Sequence, residues 1–181
     1  AMGTVLHLRG RVLNQRGDWG MAESAFLKAK VYFHKAGDRD MVATCSLSAG
    51  NVCHNKGHFD TALAHWLEAL AVFEALGRRD AAADVCLDIG DLYYECKQEL
   101  WGAGQYYSKA MKHYEAAGGR AAGGGDDGAG DSLEQKLGVC TLKMAGVLYN
   151  MGQFEKARAH YQRAAPLLES AGRLEDVGEC H

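Results

Sequence analysis

Four carboxylates, Asp84, Asp88, Asp91 and Glu95, follow one another at intervals of four, three and four residues. On an α-helix that spacing puts all four on one face. Like charges so placed repel by roughly a few tenths of a kcal/mol per pair, and nothing nearby in the sequence offsets that cost. Two readings follow: a solvated acidic face, or a site for a segment carrying Arg or Lys, where charge complementarity sets specificity and on-rate. The remaining candidates for chemistry are weaker. Cys53, His54 and His58 bring three ligand types to one turn, but no Cys-x-x-Cys exists and four ligands at zinc spacing do not assemble locally. Gly123-Gly124-Gly125 lacks the Lys and Ser or Thr that complete a phosphate-binding loop. A Cys–His catalytic pair would need a proximity that no spacing here supplies. Tyr93, Tyr94, Tyr106 and Tyr107 are not interleaved with basic residues, so they read as packing side chains rather than base-stacking ones. No catalytic residue, metal or cofactor is expected.

The elements that must position these residues are helical hairpins. From Met41 to Gly77 the apolar and small residues recur in steps of three and four, first through Val42, Cys45, Ala49, Gly50 and Cys53, then through Phe59, Ala62, Trp66, Ala69 and Phe73. Between the two runs, Lys56-Gly57-His58 supplies a turn in which Gly57 can adopt the left-handed conformation that ends a helix. Small residues at Gly50, Ala62 and Ala69 allow close approach, and Phe59, Trp66 and Phe73 fill the space. The pattern recurs. Gly17 and Gly57 are 40 residues apart, Lys97 falls 40 further on, and Gly152 is 55 beyond that. Junction glycines at Gly37, Gly77, Gly118 and Gly172 follow the same rhythm. Alternating helices with a period near 40 mark an α-solenoid.

In each unit the pattern resembles the tetratricopeptide repeat, whose small, aromatic and alanine positions have fixed offsets. The first unit supplies Gly10, Leu13, Gly17, Trp19, Ala22, Phe26 and Ala29; the second Gly50, Cys53, Gly57, Phe59, Ala62, Trp66 and Ala69. The third gives Gly90 and Tyr93, lacks the turn glycine, and resumes one residue late at Leu100, Ala103, Tyr107 and Ala110. The fourth gives Ala145, Leu148, Gly152, Phe154, Ala157, Tyr161 and Ala164. The period is similar to the longer subtype of kinesin light chains and G-protein-signalling modulators. The resemblance implies an all-α fold, a right-handed superhelix of antiparallel hairpins spanning 1–181. Repeats are expected at about 4–37, 38–77, 78–117 and 131–171.

Between the third and fourth repeats, 118–130 is Gly-rich and without a large apolar residue, and reads as a flexible insertion. Asp131-Ser132-Leu133-Glu134 resembles a capping box opening the fourth repeat. Pro166 predicts a kink or an early end of the last full helix. Residues 172–181 begin a fifth repeat and stop within its first helix, which predicts either a longer array or an end that packs on another copy. Net charge is −3 and gives no attraction to nucleic acid or an anionic membrane. No apolar run approaches the ~20 residues of a membrane span. Cys45, Cys86, Cys140 and Cys180 recur at one place in successive first helices. They read as reduced packing thiols of a cytoplasmic protein, with a nuclear or cytoskeletal location as the alternative.

In the tetratricopeptide family the first helix of each hairpin lines a concave groove that binds peptides or helices. Carried over by offset from the packing Gly or Ala, the groove residues are Arg11, Asn14, Asn51, His54, Asn55, Asp84, Asp88, Asp91, Tyr94, Glu95, Lys143 and Asn150, with Leu142 beside them. The resemblance gives Asn51 the role of bonding a bound peptide's backbone. The family's clamp for chaperone tails needs basic groove residues; here those places hold His7, Leu47, Leu87 and Leu142, which sets that variant aside. The expected function is a non-enzymatic scaffold or adaptor whose partner is a protein segment with basic residues. The alternative is a structural array that self-associates through uncapped ends, the C-terminal one above all.

Overall fold

A computed structural model describes residues 2–121 and 127–170, and every regular element among them is helical. The helices are α1 (Met2–Gln15), α2 (Trp19–Lys35), α3 (Arg39–Asn55), α4 (Phe59–Ala75), α5 (Arg79–Asp91), α6 (Leu100–Ala121), α7 (Asp127–Asn150) and α8 (Phe154–Ser170). A single π-helical turn, Leu92–Cys96, continues α5. Contacts divide the chain into two compact units, Ala1–Arg78 and Arg79–His181. Within each, successive helices pack on one another. The fold is of the all-α solenoid class, built from tetratricopeptide-like hairpins.

The turns explain the boundaries. Gly17, Gly37, Gly57, Gly77 and Gly152 all have φ between 68° and 81°, a conformation in which a Cβ is penalised. After each, an amide reaches back five residues to an orphan helix carbonyl, as from His58 to Cys53 at 2.9 Å and from Gln153 to Leu148 at 2.9 Å. This closure ends one helix and aims the next. Asp38 caps α3 by accepting from the Met41 amide at 3.1 Å. Asp18 stands at the cap position of α2 without a side-chain bond.

In the first unit the close approach of paired helices rests on glycine. A Cβ on Gly50 would lie 2.5 Å from the Trp66 ring, and one on Gly10 2.8 Å from Phe26. Ala22, Phe26, Ala49 and Val52 form a core between the two hairpins, with Leu13 against it. Burying an aromatic such as Phe26 or Phe73 stabilises by about 2–3 kcal/mol relative to exposure. Lys56 pairs with Glu23 at 2.7 Å and Arg78 with Asp40 at 2.6 Å. The second unit repeats the logic: Tyr107 would meet a Gly90 Cβ at 2.5 Å, and Ala164 and Leu168 form a core with Val139 and Leu142. Leu142 therefore serves the packing of α7 on α8.

Several sequence expectations change here. The third hairpin's extra residue is absorbed in the π-helical turn, and the left-handed position passes to Gln98, φ 54°, rather than Lys97. A π-turn is a one-residue insertion within an α-helix. The closing bond accordingly spans six residues, from Glu99 to Tyr93 at 2.9 Å. Gly118 lies inside α6 and is no junction. Helices α6 and α7 enter the ends of the 118–130 stretch, while 122–126 lie outside the described residues. Extending a formed helix costs far less than starting one, so a Gly-rich flank can be recruited. The capping box at Asp131-Ser132 is interior to α7. Helix α8 continues through Pro166 to Ser170. Pro166 is exposed, where water can bond the carbonyl that loses its partner. The fifth-repeat start at 172–181, with Cys180, lies outside the described residues.

Candidate functional site

The residue after the packing glycine decides the chemistry of each first-helix face. In the second hairpin it is Asn51, whose side-chain oxygen accepts from Trp66 Nε1 at 2.7 Å. In the third it is Asp91, which accepts from the Tyr107 hydroxyl at 2.6 Å. The donor lies fifteen residues on in one case and sixteen in the other, the difference being the π-turn residue. In the first hairpin the corresponding pair is Arg11 with Phe26, and Phe26 has no polar atom. Asn51 is exposed. Its oxygen is occupied, which fixes the amide and leaves its N–H donors for another acceptor.

Around Asn51, the first unit brings together part of the expected set. Asn55 Nδ2 lies 3.5 Å from Asn14 Oδ1, at the limit of a hydrogen bond. The His54 ring packs against Phe59 and Trp66, with centroids 5.6 and 5.5 Å away. Arg11 is exposed. The buried thiol of neighbouring Cys53 lies 3.7 Å from Glu23. Among the described residues, no group of three or more His, Cys, Asp or Glu gathers to hold a metal ion.

The acidic ladder in the second unit is wired into its own hairpins. Asp84 accepts from the Tyr114 hydroxyl at 2.6 Å and from Lys136 at 2.8 and 2.9 Å. Asp91, besides Tyr107, pairs with Lys143 at 2.9 Å. Lys136 and Lys143 are seven residues apart on α7, the same interval as Asp84 and Asp91 on α5, so the helices mesh as two matched ion pairs. Asp88 sits between them, half-buried. Burial, then the charges of Asp91 and Asp84, push its carboxyl up to about 7, with Lys143 and Lys136 opposing. Desolvation and the bonds to Asp91 and Asp84 raise Tyr107 and Tyr114 well above the usual phenol range. Both remain donors. Tyr94 accepts from Asn150 at 2.8 Å, and Glu95 is exposed on the π-turn.

Sequence reasoning missed Trp66, Tyr107, Tyr114 and Lys136. The signal for the first two was present: the residue after the packing glycine is polar where the large aromatic of the second helix can donate. The described thiols are buried at Cys45, Cys53, Cys86 and Cys140 and half-buried at Cys96, and none of these five is in a disulfide. Desolvation raises Cys45 to about 11 and Cys140 to about 12. No described helix is long and apolar enough to cross a membrane.

Solved structures share this architecture at low identity. BtubC (BKLC) from P. vanneervenii matches with a TM-score of 0.75 and 20% identity, over 94% of this chain and 64% of that one. A signal-transduction ATPase with numerous domains and a tetratricopeptide repeat sensor, from Pyrococcus horikoshii, matches with a TM-score of 0.78 and 16% identity, over 98% of this chain and 25% of that one. The chain thus spans less than two thirds of either. At such identities the likeness shows the fold alone. A comparison with curated proteins finds none that matches. The family follows from the sequence itself: residues 13–171, nearly the whole of the four hairpins, match the model of the soluble NSF attachment proteins, and the chain belongs to the soluble NSF attachment protein (SNAP) family.

Proposed function

We propose that the chain is a non-enzymatic scaffold that binds a segment of a partner protein along the first-helix faces of its hairpins. The observation that carries this is Asn51. Its amide is locked by Trp66 at 2.7 Å and keeps its N–H donors available at an exposed position, a preorganised contact for a peptide carbonyl. Asn14, Asn55, His54 and Arg11 extend that face in the first unit; in the second unit Tyr94, Glu95, Asn150 and Lys143 hold first-helix positions of their own. The family's name speaks of attachment to NSF, and attachment of one protein to another is the activity we assign here. The near-40-residue register supports the likeness to the long-repeat subtype. Free, buried thiols favour a reducing compartment, the cytoplasm.

A basic partner segment would compete with Lys136 and Lys143 for Asp84 and Asp91. Its cation is therefore better placed at Asp88 and Glu95. The clean test is Asn51→Asp, which keeps the acceptor for Trp66 and removes the donors. Affinity capture with wild type and variant, at equal helicity and thermal stability, should show a client held about fivefold or more weakly by the variant, the worth of roughly one hydrogen bond. A client held equally by both sinks the assignment.

Self-association is the second reading, and one observation favours it. Val5, Leu8 and Val12, in steps of three and four along α1, are each about half exposed. A molar mass in sedimentation that rises with concentration, and that Val5→Asp/Val12→Asp holds at the monomer, would select this reading.

A further inference from the structure

The third hairpin departs from the others at the start of its second helix. Three residues after the left-handed turn position, the other hairpins have Gly20, Asp60 and Glu155; here stands Trp101, 70% exposed. Six residues after it they have Glu23, Leu63 and Arg158; here stands Gly104. The missing side chain opens a groove of about 430 Å³ between α6 and the C-terminal half of α7. A Cβ on Gly104 would touch Val147 at 3.5 Å and Met144 at 4.0 Å, ordinary contacts. Glycine is thus not required there by crowding, although it costs a helix about 1 kcal/mol relative to alanine. Trp101 and Met151 flank one end, Lys112 the other, and no Asp or Glu lines the groove. In a chain of net charge −3, that is a local inversion of sign.

We propose that this groove docks a short amphipathic helix of a partner protein, with acidic residues toward Lys112 and apolar anchors over Gly104 and against Trp101. Eleven residues of α6 separate Trp101 from Lys112, about 16 Å or three helical turns. That length suits anchors at i, i+3 or i+4, and i+7, the spacing of helix-in-groove recognition. An exposed Trp is the side chain most suited to anchoring such a contact, and Met144 and Met151 can re-pack around differing anchors. The surface is distinct from the Asn51 face. On α7 the groove residues Met144 and Val147 each lie one residue beyond Lys143 and Gly146, about 100° round the helix.

The experiment is selection of displayed twelve-residue helical peptides on the wild-type protein, then anisotropy titration of the enriched sequences. Expected are peptides that combine Asp or Glu with apolar anchors at helical spacing. Their affinity should fall at least tenfold in Trp101→Ala and in Gly104→Leu, which fills the groove. It should fall about fivefold in Lys112→Glu and stay unchanged in Asn51→Asp. Trp101→Ala is a surface change and decides the question even where Gly104→Leu does not fold. Basic or uncharged sequences, no enrichment, or affinities indifferent to Trp101→Ala would overturn the proposal. So would dimerisation of the wild type abolished by Trp101→Ala, which gives the groove to a second copy, or Trp101-dependent binding to anionic vesicles without peptide binding.

Discussion

Asp88 shows how a residue's neighbours decide what its charge means. Read alone, the spacing of Asp84, Asp88 and Asp91 presents three negative charges. In the fold, Lys136 and Lys143 match the outer two, and the middle carboxyl, desolvated between them, titrates near 7 instead of 3.8. The folded state thus holds a proton that the unfolded chain releases. The resulting stability is fully present below about pH 4 and is lost as pH rises through 7. Asp88→Asn should therefore be more stable than wild type at pH 8, by on the order of 2 kcal/mol and at most about 4, and nearly equal at pH 4. Urea unfolding at pH 4, 6 and 8 checks this; parallel pH slopes for both proteins would refute it. A basic partner segment acting at Asp88 would bind with release of that proton, and so more tightly above pH 7 than below.

Among the elements, the third hairpin carries the irregularities. Its extra residue was visible in the sequence as a late restart at Leu100, but the count alone did not say where the helix would store it. The π-turn at Leu92–Cys96 does so while keeping Tyr107 over Gly90, and the cost moves to Gln98, a non-glycine at φ 54°. Gln98→Gly should relieve that cost and raise stability by roughly 0.5–1 kcal/mol, seen as a rise in Tm with unchanged helicity. A fall in Tm would mean the Gln98 side chain itself stabilises the turn. The hairpins, their closing glycines and the packing positions were legible because each is fixed by residues within about twenty of one another. The ion pairs of Asp84 and Asp91 were not, since their lysines come 52 residues later, beyond the Gly-rich stretch. The reach of α6 and α7 into that stretch was hidden as well, because composition reports what starts a helix more readily than what prolongs one. Trp101 and Gly104 carry no signal in the sequence alone; their contrast with Asp60 and Leu63 has meaning once the turn positions are aligned.

At the scale of the molecule, the chain is two compact units, Ala1–Arg78 and Arg79–His181, and arrays of this kind draw their stability mainly from neighbouring helices. Among the described residues each unit contains two buried thiols, Cys45 and Cys53 in the first, Cys86 and Cys140 in the second. A thiol buried behind packed helices reacts with a disulfide reagent only when its surroundings open. These four thiols are therefore internal stopwatches, two in each unit, that need no label to be introduced. Gly50→Ala, which forces a Cβ into the Trp66 ring, should quicken the modification of Cys45 and Cys53 at least tenfold. Cys86 and Cys140 should keep their wild-type rates, read cysteine by cysteine by mass spectrometry of quenched samples. Equal acceleration at all four would mean the two units open as one. The same packing habit that put a small sulfur side chain into the seams of α3, α5 and α7 has made the timing of local opening directly measurable.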